Sequence, residues 1–345
     1  MGIGWSGFTP TMEGTSYKEM MFEAAQRAYA DAQLDPRRQV DSFVCASEDL
    51  EEGTSIFDEY VPDQLGAVQR PVHTVASDGL FAFATGVMLI RSGVANVVAV
   101  EAHSKASDLL TPGRLAHFAM DPVLNRPLGV SALAVAGLDM RRYLEQGDRT
   151  EDECAAVAVR NREHARSNPR ASFADVVDPR PLFEPLTRDQ AADSVDGCVV
   201  MVLAADRAGP TPVWVDGVGW NQDAPSLESR EWGTAKAALG AGAMAYRQAG
   251  VSPGDVDLAE VDDTFAYKQL QHLDALGLGG LDPDRVDPSG GALGEGHLHE
   301  GNGLARALAC VERLRAGDAR VAVAQSWRGV PSTSAAVAVL RAGAA

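Results

Sequence analysis

Between Asp287 and Gly303 the chain reads Asp-Pro-Ser-Gly-Gly-Ala-Leu-Gly-Glu-Gly-His-Leu-His-Glu-Gly-Asn-Gly, so two histidines, three carboxylates and an amide are interleaved with six glycines. The imidazoles of His297 and His299 titrate near neutrality, which suits proton transfer to or from a substrate. The glycines let the backbone approach a ligand closely. His299 and Asn302 offer donors for a developing oxyanion, or equally for the loop's own backbone. Composition alone also fits an ordinary connecting loop. A second candidate stretch is Val261-Asp262-Asp263-Thr264-Phe265. Asp262 can orient or relay protons for His297, or cap the helix starting near Phe265, and Asp263 is its acidic neighbour. Tyr267, two residues into that helix, faces either the site or the core. His73, His103, His117, His164 and His272 have no paired spacing for a metal and read as structural or surface groups.

Composition bounds what such a site serves. At 345 residues the chain accommodates about two domains or one large duplicated unit, and 46% hydrophobic residues suffice for a sizeable core. A formal charge of −18 leaves no basic surplus to displace counterions, so a nucleic-acid partner is not expected. Cys45, Cys154, Cys198 and Cys310 are scattered without Cys-x-x-Cys spacing, which argues against a zinc site or disulfide framework and for a reducing cytoplasm. No run reaches the ~18 apolar residues of a membrane span, and the N-terminus lacks the basic head of a signal peptide.

The elements that must carry these residues alternate strand and helix. Gly2 to Phe8, Val40 to Ala46, Val72 to Ala76 and Val94 to Glu101 read as strands, with helices over Ser16 to Leu34 and Gly79 to Ser92. Prolines loosen the pattern from about 103 to 192, a long excursion containing helices over Ser131 to Gln146 and Glu151 to Ser167. The sheet resumes at Gly197 to Ala205, and Arg207-Ala-Gly-Pro-Thr-Pro212 marks the boundary between units 1–206 and 207–345.

After that boundary the chain repeats itself. The stretches beginning at Ala24, Val40 and Gly79 are echoed in order from Ala241, Val256 and Gly303, at offsets of 217, 216 and 224 residues. A duplicated α/β unit with mainly parallel sheets follows. In such sheets ligands lie beyond the carboxyl ends of strands. Val75 to Gly79, Asp262 to Phe265 and Gly294 to Gly303 are therefore expected to converge.

The duplication, together with Asp121-Pro-Val-Leu-Asn-Arg-Pro-Leu-Gly129, Asp196-Gly-Cys-Val-Val-Met-Val-Leu203 and Gly290-Gly-Ala-Leu-Gly-Glu-Gly-His-Leu-His299, resembles the thiolase superfamily over essentially the whole chain. Within it, Gly290 to Glu295, His299-Glu-Gly-Asn-Gly303 and Gly329-Val-Pro-Ser-Thr-Ser334 are similar to motifs of the lipid-transfer-protein-type members, which include sterol-carrier thiolases and steroid side-chain aldolases. The resemblance implies a thiolase fold, with βαβαβ halves in a five-layer αβαβα arrangement. It places Val75 where thiolases carry the acyl-accepting cysteine, at the start of a helix beginning near Ala76, and a valine forms no thioester. Ser326-Trp-Arg-Gly-Val330 occupies the region of the second thiolase cysteine. His297 matches the histidine of the Gly-His-Pro motif, and Asp262 stands where thiolases carry asparagine or histidine.

Loss of the nucleophile with retention of a base leaves chemistry through a thioester enolate. By resemblance the expected reaction is retro-aldol cleavage of a β-hydroxyacyl-CoA to a ketone and a shorter acyl-CoA. His297 is then the base, and coenzyme A enters as part of the substrate rather than as a bound cofactor. Two other functions stay open: a non-catalytic scaffold, or acyl transfer by direct attack of a second substrate. The resemblance also implies a homodimer through the edge strand near Val72 to Ala76, and a heteromeric complex with a small zinc-ribbon/OB-fold protein.

Overall fold

Close helix-to-strand approach is written into paired glycines. In a computed structural model describing residues 1–53, 56–109, 116–206, 212–224, 226–329 and 333–343, strand β1 (Gly2–Thr9) lies against helix α1 (Tyr17–Ala32). A Cβ on Gly4 would sit 2.2 Å from the Ala24 carbonyl oxygen. In the second half β6 (Val213–Gln222) lies against α5 (Lys236–Ala249) in the same manner, and a Cβ on Gly219 would sit 2.1 Å from the Ala241 carbonyl oxygen. Only glycine permits such contact. The shared device is physical evidence of the duplication, because Ala24 and Ala241 are the very positions the repeat equates.

The first sheet contains β1, β2 (Ser42–Ala46), β3 (Val72–Val75), β4 (Val97–Ser104) and β5 (Asp196–Ala204), in the order β1-β5-β4-β2-β3. The second contains β6, β7 (Leu258–Glu260), β8 (Val321–Arg328) and β9 (Ser334–Ala342), in the order β6-β9-β8-β7. Between the sheets lie α2 (Gly79–Arg91) and α8 (Asn302–Ala316), while α1 covers the outer face of the first sheet. On the outer face of the second lie α5 and α6 (Ala266–Leu276). These are the five layers, helix, sheet, helix, sheet, helix, of a thiolase fold.

Hydrophobic burial explains the layering. Leu80 and Phe83 of α2, Leu304 and Leu308 of α8, Val100 and Met201 of the first sheet and Ala322 and Leu340 of the second form one buried cluster. Met20, Met21 and Ala24 of α1 pack with Phe43 and Val200 on the other face of the first sheet. The helices begin and end on local signals: capping boxes at Ser16/Glu19 and Thr150/Glu153, and left-handed glycines at 250, 277 and 317.

The sheets are mixed rather than mainly parallel. β2 pairs in parallel with β3 and β4, and β7 with β8, but β5 runs antiparallel to β1 and β4, and β9 antiparallel to β6 and β8. Each half thus ends in a returning strand, which the helical crossovers legible in the sequence do not connect. The excursion between Ser104 and Asp196 carries α3 (Ala132–Gln146) and α4 (Glu151–Ala165), which pack on α6 through Met140, Tyr143, Val157 and Tyr267. Most of the expected boundary at Arg207 to Pro212, and Val330 to Ser332 of the C-terminal motif, lie outside the described residues.

Candidate active site

The three stretches expected to converge are joined by hydrogen bonds. Asp78, 1% exposed, is the N-cap of α2: its Oδ1 accepts from the Leu80 amide at 2.8 Å and the Ser326 hydroxyl at 2.5 Å. Its Oδ2 accepts from the Gly303 amide at 2.8 Å, at the start of α8. The helix therefore begins at Gly79, capped by Asp78, and not near Ala76. Val75 ends β3, partly buried against the inter-sheet cluster, three positions before the cap.

The histidine loop is a buried, fully scaffolded segment rather than a flexible connection. Arg306 of α8, wholly buried, bonds Glu260 at 3.1 Å, the Ser289 hydroxyl at 3.0 Å and Glu295. Arg170 bonds Glu295 at 2.8 Å and grips Glu312 through two bonds of 2.8 and 2.9 Å. Burial pushes the Glu295 carboxyl up, but Arg306 and Arg170 outweigh it and hold the group below its ordinary value. Asp263 accepts from the amides of Ala292 and Leu293, closing the N-terminus of the short helix α7 (Gly291–Glu295), and from Asn161 at 2.7 Å.

From this scaffold the loop presents two imidazoles with ring centroids 5.0 Å apart and planes at 65°. His297 is fixed by its backbone, donating to the Asp193 carbonyl at 2.7 Å and accepting from the Val195 amide at 3.1 Å. Among the described residues its ring makes no hydrogen bond. His299 adopts a left-handed backbone, φ 45°, a strained conformation for a non-glycine residue. Its Nε2 lies 2.8 Å from the Ser194 hydroxyl. Burial, the neighbouring imidazole and the Arg328 guanidinium hold His297 well below the usual imidazole range. His299 is lowered by burial, with Arg328 adding to the effect against Glu300. Both rings are therefore neutral at physiological pH. Arg328, at the end of β8, bonds Glu48 at 2.9 Å and Glu300, joining the two halves of the chain beside the histidines.

The remaining sequence-predicted residues have other partners. Asp262, 1% exposed, accepts from the Thr264 hydroxyl at 2.6 Å, the Thr264 amide at 2.9 Å and Asn302 Nδ2 at 2.6 Å. It forms an Asx turn ahead of α6 and has no bond to His297, so it does not orient that imidazole. Asn302 is turned toward Asp262 and buried. Tyr267 is wholly buried and donates to Asp139 at 3.1 Å, in the core formed with the excursion. His103 and His272 are fully buried: His103 bonds Glu101 at 2.9 Å and lies 3.2 Å from Glu52, and His272 bonds the Asp262 carbonyl at 3.1 Å. All four cysteines are buried.

Sequence reasoning passed over Asp78, Ser194 and Arg328. Asp78 carries a local signal, an N-cap type immediately before Gly79 and an apolar run. Ser194 and Arg328 carry none. Their neighbours in space are 105 and 280 positions away, at His299 and Glu48 respectively.

Known proteins are similar to this chain over most of its length. Residues 219–282 match the family model described as Thiolase C-terminal domain-like. An acetyl-CoA acetyltransferase of Methanothermobacter thermautotrophicus is 28% identical over 333 residues, spanning 87% of this chain and 86% of that protein. A steroid side-chain-cleaving aldolase of Thermomonospora curvata is 27% identical over 380 residues, spanning 96% and 95%. A solved structure described as an Ltp2-ChsH2(DUF35) aldolase superposes with a TM-score of 0.82 at 22% identity, covering 99% of this chain and 96% of that one.

Proposed function

We propose that this chain, which belongs to the thiolase superfamily in its lipid-transfer-protein type, is a carbon-carbon lyase that cleaves a β-hydroxyacyl-CoA by a retro-aldol reaction. Membership is the premise, and the departures from a thiolase select the reaction. The resemblance assigns Val75 to the acyl-acceptor position, where a cysteinyl thioester would not be available. The observation that carries the reading is His297: a neutral imidazole, pinned by its backbone, whose ring is uncommitted among the described residues.

In the proposed reaction His297 takes the proton of the substrate's β-hydroxyl. The alkoxide electrons form the ketone carbonyl as the Cα–Cβ bond breaks, and that bond's electrons pass to the thioester as an enolate. In this scheme His299 is the donor proposed for the enolate oxygen, with Arg328, held by Glu48 and Glu300, close enough to act on both imidazoles. Return of the proton to the enolate carbon yields the shorter acyl-CoA and regenerates neutral His297. Asp78 and Asp262 hold elements in place in this scheme, through Gly303 and Asn302 respectively. Coenzyme A enters as part of the substrate.

The steroid side-chain-cleaving aldolase, 27% identical over nearly the whole chain, supports the lyase reading, while the acetyl-CoA acetyltransferase at 28% leaves thiolase-like chemistry the broader class. The solved aldolase is described with ChsH2(DUF35), which supports a heteromeric complex; the zinc-ribbon/OB-fold character of the partner, and a homodimer, are proposed from the family resemblance. The test is ketone release from β-hydroxyacyl-CoA thioesters by the purified chain, with and without that partner, in the native form and as His297→Ala.

A further inference from the structure

We propose that Ser194 is a second reactive centre of this site, a hydroxyl nucleophile that accepts an acyl group from a thioester with His299 as its base. The pair is the arrangement such chemistry requires. A hydroxyl is a weak nucleophile until a base within hydrogen-bond reach removes its proton, and Ser194 Oγ stands 2.8 Å from His299 Nε2. Ser194 is exposed, whereas the four thiols are buried and cannot meet a substrate.

The setting is rigid. Ser194 lies on an extended segment bridged in parallel to His297, with the Asp193 carbonyl accepting from the His297 amide at 2.7 Å and the Val195 amide donating to the His297 carbonyl at 3.1 Å. The Asp193 side chain is tied to Arg188. His299 is held at φ 45°, a conformation that persists only where surroundings impose it, with its Nε2 within hydrogen-bond reach of Ser194. The His297 ring lies 5.0 Å from that of His299, makes no hydrogen bond among the described residues, and is the donor we assign to the carbonyl oxygen. Burial keeps His299 neutral and so able to accept a proton.

The step balances. Ser194 Oγ attacks the thioester carbon and its proton passes to His299 Nε2. The tetrahedral intermediate then expels the coenzyme A sulfur, which takes that proton and leaves as the free thiol. An acyl ester remains on Ser194. Water, activated by the same imidazole, hydrolyses it to the carboxylic acid and restores the hydroxyl. The activity is that of a thioesterase, and it rests on the proposed reading only in that acyl-CoA reaches this site.

The experiment uses the full chain and butyryl-CoA, which lacks a β-hydroxyl and so cannot undergo retro-aldol cleavage. The expected result is coenzyme A release, with one butyryl group on the peptide containing Ser194 by mass spectrometry of rapidly acidified samples. Ser194→Ala lowers release by about 100-fold or more and abolishes the adduct. Ser194→Cys, which places a thiol beside the same imidazole, retains the adduct. Absence of both adduct and Ser194-dependent release overturns the proposal, whether or not ketone forms from a β-hydroxyacyl-CoA. An adduct that persists in Ser194→Ala overturns it as well. Ketone formation, measured in parallel, reports separately on the lyase reading.

Discussion

Asp78 and Ser326, 248 positions apart in the chain, share a hydrogen bond of 2.5 Å. The same carboxyl caps α2 at Leu80 and receives the Gly303 amide that opens α8, so one side chain joins the first turns of both central helices to the end of β8. Those helices are equivalents in the two halves. An acidic group where two helix N-termini meet is the favourable arrangement for both helix dipoles.

Gly303 is the position that permits this junction. A Cβ there would lie 2.0 Å from Asp78 Oδ1 and 2.6 Å from Ser326 Oγ, closer than any real contact. Gly303→Ala is expected to destabilise the chain by about 1–3 kcal/mol or more. Gly280→Ala, with nothing within 4 Å of the added Cβ, is the matched control with little effect. Urea midpoints of the two variants measure the difference.

Asp78 also sets a pH dependence of stability. Burial, outweighing the bonds from Ser326, Leu80 and Gly303 and aided by the nearby Asp262, pushes its carboxyl up to about 7. An unfolded aspartate titrates near ~3.9, so between these values the folded state binds more protons, and stability falls as pH rises through the window. Asp78→Asn removes this contribution. Relative to the parent, the variant gains stability between about pH 5 and about pH 8, by roughly 1.4 kcal/mol per unit of pKa displacement. Urea titrations at the two pH values give the comparison, and an unchanged difference would refute it.

Arg306 faces Glu260 and Glu295 with no exposure of the guanidinium. Arg306→Leu leaves Glu260 buried without its cation and Glu295 with Arg170 alone, and is expected to cost about 3–5 kcal/mol. Because both anchor the histidine loop, the variant should also lose mutual order of His297 and His299, visible as altered imidazole resonances by NMR. A variant as stable as the parent would show that the network is dispensable.

His297 predicts the shape of the activity profile. Burial, His299 and Arg328 all favour its neutral form. A base whose pKa is lowered keeps its accepting form as pH falls, so ketone formation should stay level through the ordinary histidine value of ~6.5 and decline only well below it. A midpoint at or above that value would contradict the electrostatics of the loop.

Much of the fold was legible because it is carried by local signals. The helical spacing of Met20, Met21, Ala24 and Ala25, the β-branched run ending at Glu101 and the ordered echoes around Ala241 and Gly303 all mark elements that formed within a few residues of their expected limits. Strand direction was not legible, since the returning strands β5 and β9 are specified by pairing across the sheet and not by their own periodicity. At the site, the convergence of Gly79, Asp262 and Gly303 followed from the topology of strand ends. The roles of Asp262 and Tyr267 did not, because Thr264, Asn302 and Asp139 claim their polar atoms in space. Ser194 and Arg328 depend wholly on partners distant in sequence.

The central proposal is that His297, in a thiolase fold where the resemblance gives Val75 the acyl-acceptor position, breaks a carbon-carbon bond. Its most direct measurement is the rate of ketone release from a β-hydroxyacyl-CoA by the chain, together with the proposed zinc-ribbon/OB-fold partner, compared with His297→Ala. Ketone formed in step with the shorter acyl-CoA, and slowed by about 100-fold or more in the variant, is the predicted result. No ketone from the assembled complex, or an equal rate in His297→Ala, would contradict the account.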